Sequence, residues 1–133
     1  MDDKHSLTGS RRHAGRRTPE RLAAYRVEAA LARDAIGRRD AAAAMHHLER
    51  AHILGQPWPG PHSRTHWMML RVGLAAGDGR EVAGQLLRLA GGGLLSIVGW
   101  LPDGNTGRAR VSSIRPMPPP ADLVELCGGD RAA

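Results

Sequence analysis

Five of the seven histidines lie between positions 46 and 66: His46, His47, His52, His62 and His66. Neutral imidazole is a common ligand of divalent transition metals. Glu49 stands three residues before His52. On a helix that E-x-x-H spacing lets a carboxylate and an imidazole reach one ion, as in helical di-metal carboxylate proteins. His46 lies one turn before Glu49, and His47 points about 100° away from it. His62 and His66 are four apart, so they stack on one helical face. Met69, Leu70 and Gly73 share that face, which makes it the inner one. An H-x-x-x-H pair on a helix supplies two ligands for zinc, copper, iron or nickel. The expected ligand set is Glu49, His52, His62 and His66, with His46, His47 and Glu81 in reserve. Each short pattern alone arises often by chance, and a structural histidine cluster is the competing reading. The two patterns together, facing each other across one turn, point to a metal.

Three imidazoles and one carboxylate fit zinc, Fe(II), Mn(II), Cu(II) or Ni(II). No cysteine stands near, which argues against Cu(I), although Met45, Met68 and Met69 are soft donors if they are not core filling. A metal with an open position activates water or dioxygen, or acts as a Lewis acid on a small substrate. Glu49 is then a ligand or the catalytic base. The alternative is a non-enzymatic metal buffer or helical-repeat adaptor. Ligating histidine must be neutral, so metal affinity is expected to fall as pH drops through about 6.5. Glu81 and Gln85, one turn apart, are candidates to hold a ligating imidazole, although a surface Glu favoured by the positive start of its helix is the simpler reading of Glu81. Gly104-Asn105-Thr106-Gly107 offers backbone N–H groups to an anion, but it lacks the lysine of a phosphate-binding loop.

The elements that must position these residues are helical. Thr18-Pro19-Glu20 reads as a helix start, and the first helix runs to about Ile36, ended by Gly37. Asp40 caps a second helix from Ala41 to Leu54, closed by Gly55. Gln56 to Pro61 reads as a loop. A third helix spans roughly His62 to Ala76. Asp78 caps a fourth, from Gly79 to about Ala90, ended by Gly91 to Gly93. Leu94 to Leu101 is a further short helix or a buried strand. After the turn-rich Pro102 to Gly107, Ala109 to Ile114 reads as an extended piece and Arg115 to Pro120 as polyproline-like. Shifting the first helix pair by 38 positions puts Asp40 on Asp78, Leu48 on Leu86 and Arg50 on Arg88. Such a repeat resembles tetratricopeptide-like hairpins. The expected fold is all-α: two antiparallel hairpins with an irregular C-terminal wrap. Two units leave an open face, which the C-terminal segment or a second copy of the chain must cover.

The chain has 133 residues, 41% apolar and 24% charged, which suits a globular protein. Residues 1–17 read as a disordered basic tail, 18–126 as one helical domain and 127–133 as a frayed end. Aromatics are only 3%, with no Phe, so the core must be Leu, Ala, Met, Val and Ile. Cys127 is the single cysteine, which rules out an internal disulfide. No apolar run is long enough to span a membrane, and no secretory signal is evident. The expected setting is the cytoplasm. Net charge is +6. No aromatic interleaves with the tail arginines, so a base-stacking platform is not indicated and nucleic acid is not the expected partner. A small-molecule substrate is.

Several segments together resemble a family of small bacterial proteins, domain-of-unknown-function family 3703. They are His46 to Gln56, His62 to Leu70, Gly84 to Arg88, Pro102 to Gly107, and Pro116-Met117-Pro118 with Asp122-Leu123. The eleven-residue histidine segment is the most distinctive of them. The resemblance spans about residues 20 to 126 and departs at Arg108, where the family pattern has a second glycine. It implies a shared site and carries no reaction.

Overall fold

The computed structural model describes residues 16–97, 105–111 and 117–128. Four helices follow one another: α1 (Pro19–Gly37), α2 (Ala41–Gly55), α3 (Pro59–Ala76) and α4 (Gly79–Ile97). A single 3-10 turn, Ala121–Leu123, follows in the C-terminal segment. There is no strand among the described residues. The fold is all-α, as the sequence predicts.

The caps explain the boundaries. The Thr18 side chain accepts a hydrogen bond from the Arg21 amide at 3.1 Å, Asp40 from Ala43 at 2.9 Å and Asp78 from Glu81 at 3.0 Å, each satisfying an amide without an intrahelical partner. Gly77 closes α3 in the left-handed conformation, at φ 68°. Four boundaries differ from the sequence expectation. Helix α2 takes in Gly55, expected to close it, and its cap is Gln56 in the right-handed conformation. Helix α1 runs through Gly37, and the left-handed residue beyond it is Arg39, at φ 60°. Helix α3 begins at Pro59 rather than His62, because both prolines fall in the first turn, where no amide partner is needed. Helix α4 continues through Gly91 to Gly93 as far as Ile97, so Leu94 to Ile97 extend it instead of starting a new element. The expected extended piece after Ala109 begins as a turn, with the Val111 amide bonded to the Arg108 carbonyl at 3.0 Å. Residues 98–104 and 112–116 lie outside the described residues, as do residues 1–15 of the expected tail.

Helices α1 and α2 pack as one hairpin and α3 and α4 as another, with α2 against α3 between them. The core is built from small residues. Ala32, Ala35, Ala44, Met45, Leu48, Met68, Met69 and Val72 form one buried cluster. Tyr25, Ala29, Ala51, Ile53, Leu54 and Leu123 form a second. Alanine at a helix contact lets backbones approach closely, which the shortage of aromatics demands. Leu123 comes from the C-terminal segment, which therefore covers the α1–α2 face. Arg50 holds that segment in place, bonding Glu28 at 2.6 Å and Asp122 at 2.6 Å.

The turn between α2 and α3 is fixed from α1. Arg21 is 1% exposed, and its guanidinium donates to the Leu54 carbonyl at 2.9 Å and the Ile53 carbonyl at 2.8 Å. It satisfies two carbonyls at the end of α2 and complements the negative end of the helix. Tyr25 Oη donates to the Pro61 carbonyl at 3.2 Å, and Arg17 to Pro57 at 2.8 Å. Replacing Arg21 with Met should lower stability by about 3 kcal/mol, because buried carbonyls lose charged donors. Chemical denaturation of the variant checks this, and a loss under about 1 kcal/mol would show that the carbonyls find other partners.

Candidate metal centre

Helix α2 carries His52 in its last turn, and α3 carries His62 and His66 in its first two. A three-residue turn joins the helices, so the rings meet. All three are buried, at 3%, 2% and 3% exposure. Their Nε2 atoms form a triangle: 2.9 Å between His52 and His62, 3.1 Å between His62 and His66, and 3.2 Å between His52 and His66. The ring centroids lie 4.6 to 4.7 Å apart and the planes are tilted against one another. Ligating atoms of these three residues all lie close enough together to share one ion.

The hydrogen bonds at the far side of the rings settle which nitrogens carry protons. His52 Nδ1 lies 2.6 Å from the Asn105 backbone carbonyl. A carbonyl only accepts, so Nδ1 carries the proton and Nε2 presents a bare lone pair. His66 Nδ1 lies 2.6 Å from Gln85 Oε1. The amide nitrogen of Gln85 donates to Glu81 at 2.6 Å and to the Gly107 carbonyl at 2.8 Å. The amide orientation is thereby fixed, so His66 Nδ1 also donates and its Nε2 is also bare. Two lone pairs face each other at 3.2 Å. One proton on His62 can serve only one of them at a time, whereas one cation serves all three nitrogens.

The donor set fits a first-row divalent metal. With metal–nitrogen bonds of about 2.1 Å, ligand nitrogens at right angles sit about 3.0 Å apart and tetrahedral ones about 3.4 Å. The observed edges, 2.9, 3.1 and 3.2 Å, run from the first spacing to midway between the two, which suits three ligands on one face of the coordination sphere.

The loop 105–111 lies over this triangle. Gly107 has φ +78°, and a Cβ there would sit 2.7 Å from Cδ2 of His52. Only glycine combines that conformation with that approach. The Gly107 amide donates to Asn105 Oδ1 at 2.9 Å, so this donor serves the loop itself and not an anion. Asn105 and Gly107 were marked in the sequence as turn residues. The contact of Asn105 with an imidazole has no sequence signal, because it joins positions 53 apart.

Glu49 stands elsewhere than the sequence reading has it. Its Oε1 accepts from Arg108 Nη1 at 2.9 Å, and the compact group of potential ligands comprises His52, His62 and His66. The physical reason is Arg108, a permanent cation that the loop brings to the Glu49 side of α2. Arg108 also bonds Glu81 Oε2 at 3.1 Å. Burial lowers its pKa, but the hydrogen bonds to Glu49 and Glu81 outweigh that and the net shift is upward. Glu81 is 1% exposed and reaches the site through Gln85, as a support for His66 rather than as a ligand. Of the remaining reserves, His47 Nδ1 bonds Glu28 at 2.8 Å, and His46 is exposed. A continuous polar chain thus runs from His66 through Gln85, Glu81 and Arg108 to Glu49. It ends at a cleft of about 520 Å³ lined by Glu49, Glu81, Arg108, His46 and Asp78.

Burial keeps the rings neutral. It pushes His62 down to about 3, helped by the neighbouring His66. Burial pushes His66 down to about 4, partly offset by Gln85. His52 too is held well below its ordinary value, by burial and by both neighbouring rings. In the folded chain protons therefore compete for the rings far below the 6.5 expected from the sequence.

The chain belongs to a known family: residues 20–127 match the family described as "Protein of unknown function (DUF3703)". Comparison with curated proteins and with solved structures gives no match. No helix among the described residues is long and apolar enough to cross a membrane.

Two expectations follow from this geometry. Gly107→Ala should lose about 2 kcal/mol or more of stability from the strained φ and the clash with His52. It should also weaken any metal binding by the three rings, which calorimetry of the variant beside the parent would show. The metal-free protein should lose stability on acidification. Folding lowers the imidazole pKa values, so the unfolded chain binds more protons below about 6.5. The contribution of these rings is complete above that pH and is lost as pH falls toward 4. Between pH 7 and 5 the loss for His62 and His66 together is about 4 kcal/mol. Urea unfolding at the two pH values measures it, and a pH-independent midpoint would show that the rings are not buried neutral.

Proposed function

We propose that this member of the DUF3703 family is a metal-binding protein whose three imidazoles, His52, His62 and His66, hold one divalent transition metal. The observation that carries the reading is the convergence of three Nε2 atoms within 3.2 Å, with two of the rings held by their Nδ1–H so that their lone pairs face inward. Donor type and spacing suit Fe, Zn, Mn, Cu or Ni.

The reading extends to metal-dependent chemistry on a small molecule. Three protein ligands leave positions open, and a metal in such a site supplies Lewis acidity or activates water or dioxygen. Gln85 orients His66 and, through Glu81, raises its basicity as a donor. Glu49 and Arg108 place a carboxylate and a guanidinium at the cleft. Glu49 is the general base of this reading, released from Arg108 when a ligand enters. One helical domain, residues 18–126, carries the site, and the setting is cytoplasmic. A second reading, a metal buffer without catalysis, is favoured by the burial of all three rings to 3% exposure or less.

Purified protein should contain one metal per chain by elemental analysis. Substituting His62 or His66 with Ala should weaken binding by two orders of magnitude or more, whereas His46→Ala should leave it unchanged. Cobalt-substituted protein separates the two readings. A visible spectrum that shifts on adding azide reports an open ligand position, and an unresponsive spectrum favours the buffer. Metal retained by His52→Ala, His62→Ala and His66→Ala alike would overturn the site.

A further inference from the structure

The outer face of α3 carries a second feature, independent of the histidines. Arg64, Trp67, Arg71 and Leu74 are all exposed, and their 3-4-3 spacing places them in one stripe along the helix. Trp67 is 54% exposed and Leu74 61%. Beside this stripe two depressions of about 420 and 520 Å³ share Ile36 and Arg71, which makes one groove between α3 and the end of α1. Its lining includes buried Val72 and the guanidinium-bearing Arg33, Arg39, Arg64 and Arg71. No carboxylate lines it among the described residues. None of these four guanidiniums makes a hydrogen bond or ion pair among the described residues. That contrasts with Arg21, Arg50, Arg88 and Arg108, all of which are bonded.

We infer that this groove docks an acidic amphipathic helix of another protein. Charge complementarity names the sign of the partner: four cations with no ion pair and no acid beside them among the described residues attract carboxylates and repel basic segments. A second copy of this chain is disfavoured, because an isologous contact would bring two sets of four guanidiniums together. The apolar floor and the exposed indole call for apolar side chains between the carboxylates, and tryptophan and arginine are the residues that most often anchor such contacts. The 3-4-3 stripe fits the seam of a facing helix. From Arg64 to Ala76 the groove is about 18 Å long, or roughly three to four turns of a docked helix.

The test uses a synthetic, fluorescein-labelled helix of about four turns, with Leu at the seam and Glu flanking it, titrated with the full chain and read by anisotropy. A Lys-for-Glu version and an oligothymidylate serve as the other probes. The acidic helix should bind, and should bind roughly tenfold or more weakly to Trp67→Ala and to the double variant Arg64→Glu/Arg71→Glu. The double variant should in turn bind the Lys version better than the parent does. Both variants alter exposed residues, so their melting temperature and metal content should stay at parent values. No binding of the acidic helix, equal binding by the charge-reversed variant, or tighter binding of the oligothymidylate would overturn the inference.

Discussion

Three imidazole nitrogens held within 3.2 Å of one another form the constraint on which the other features of the structure depend. Buried lone pairs at that distance repel unless something positive lies between them. Among the described residues, the groups bonded to His52 and His66 keep the lone pairs there. The Asn105 carbonyl and the Gln85 amide take the opposite ring protons. Gln85 is itself held by Glu81 and Gly107. Gly107 has no side chain because the face of His52 occupies the space. Burial then prevents protonation from relieving the repulsion near neutral pH. The lone pairs thus remain available to a cation.

The scaffold is arranged for the same end. Alanine-rich contacts bring α1 and α2 together, and Arg21 and Tyr25 of α1 hold the short turn that sets His52 against His62. A small domain has little stability to spare. Burying three neutral imidazoles opposes folding wherever the unfolded chain would protonate them. An ion held by the three rings would stabilise only the folded chain, which would link site formation to folding. The C-terminal segment contributes at both ends of this arrangement. Residues 105–111 complete the site, while Leu123 and Asp122 cover the α1–α2 face.

Helix α3 has two working faces. Its inner face presents His62, His66 and Met69 to the core, all buried. Its outer face presents Arg64, Trp67 and Arg71 to solvent. The separation follows from 100° per residue: positions 62, 66 and 69 share one side, and 64, 67 and 71 share another. One rigid element therefore connects the histidine triangle to the basic groove, so a partner docked in the groove and an ion held by the rings would meet the same helix.

The sequence by itself determined the helices, their order and the three imidazoles. Caps at Thr18, Asp40 and Asp78 are local interactions, readable from neighbouring residues. The inward pointing of His62 and His66 follows from helical periodicity, and the nearness of His52 follows from a short connection between antiparallel helices. Gln85 was legible only as a candidate partner for an imidazole, one turn from Glu81, and the fold decided that it bonds His66. Tertiary structure alone decided the rest. Glu49 and His52 share one helix, yet Arg108, 59 positions beyond Glu49, pairs with the carboxylate. The carbonyl that fixes the tautomer of His52 comes from Asn105, and the glycine against its ring is Gly107. Periodicity describes which residues share a face. It holds no information about a loop that returns from a distant part of the chain, and the choice among ligand, base and ion-pair partner for Glu49 depends on what that loop brings.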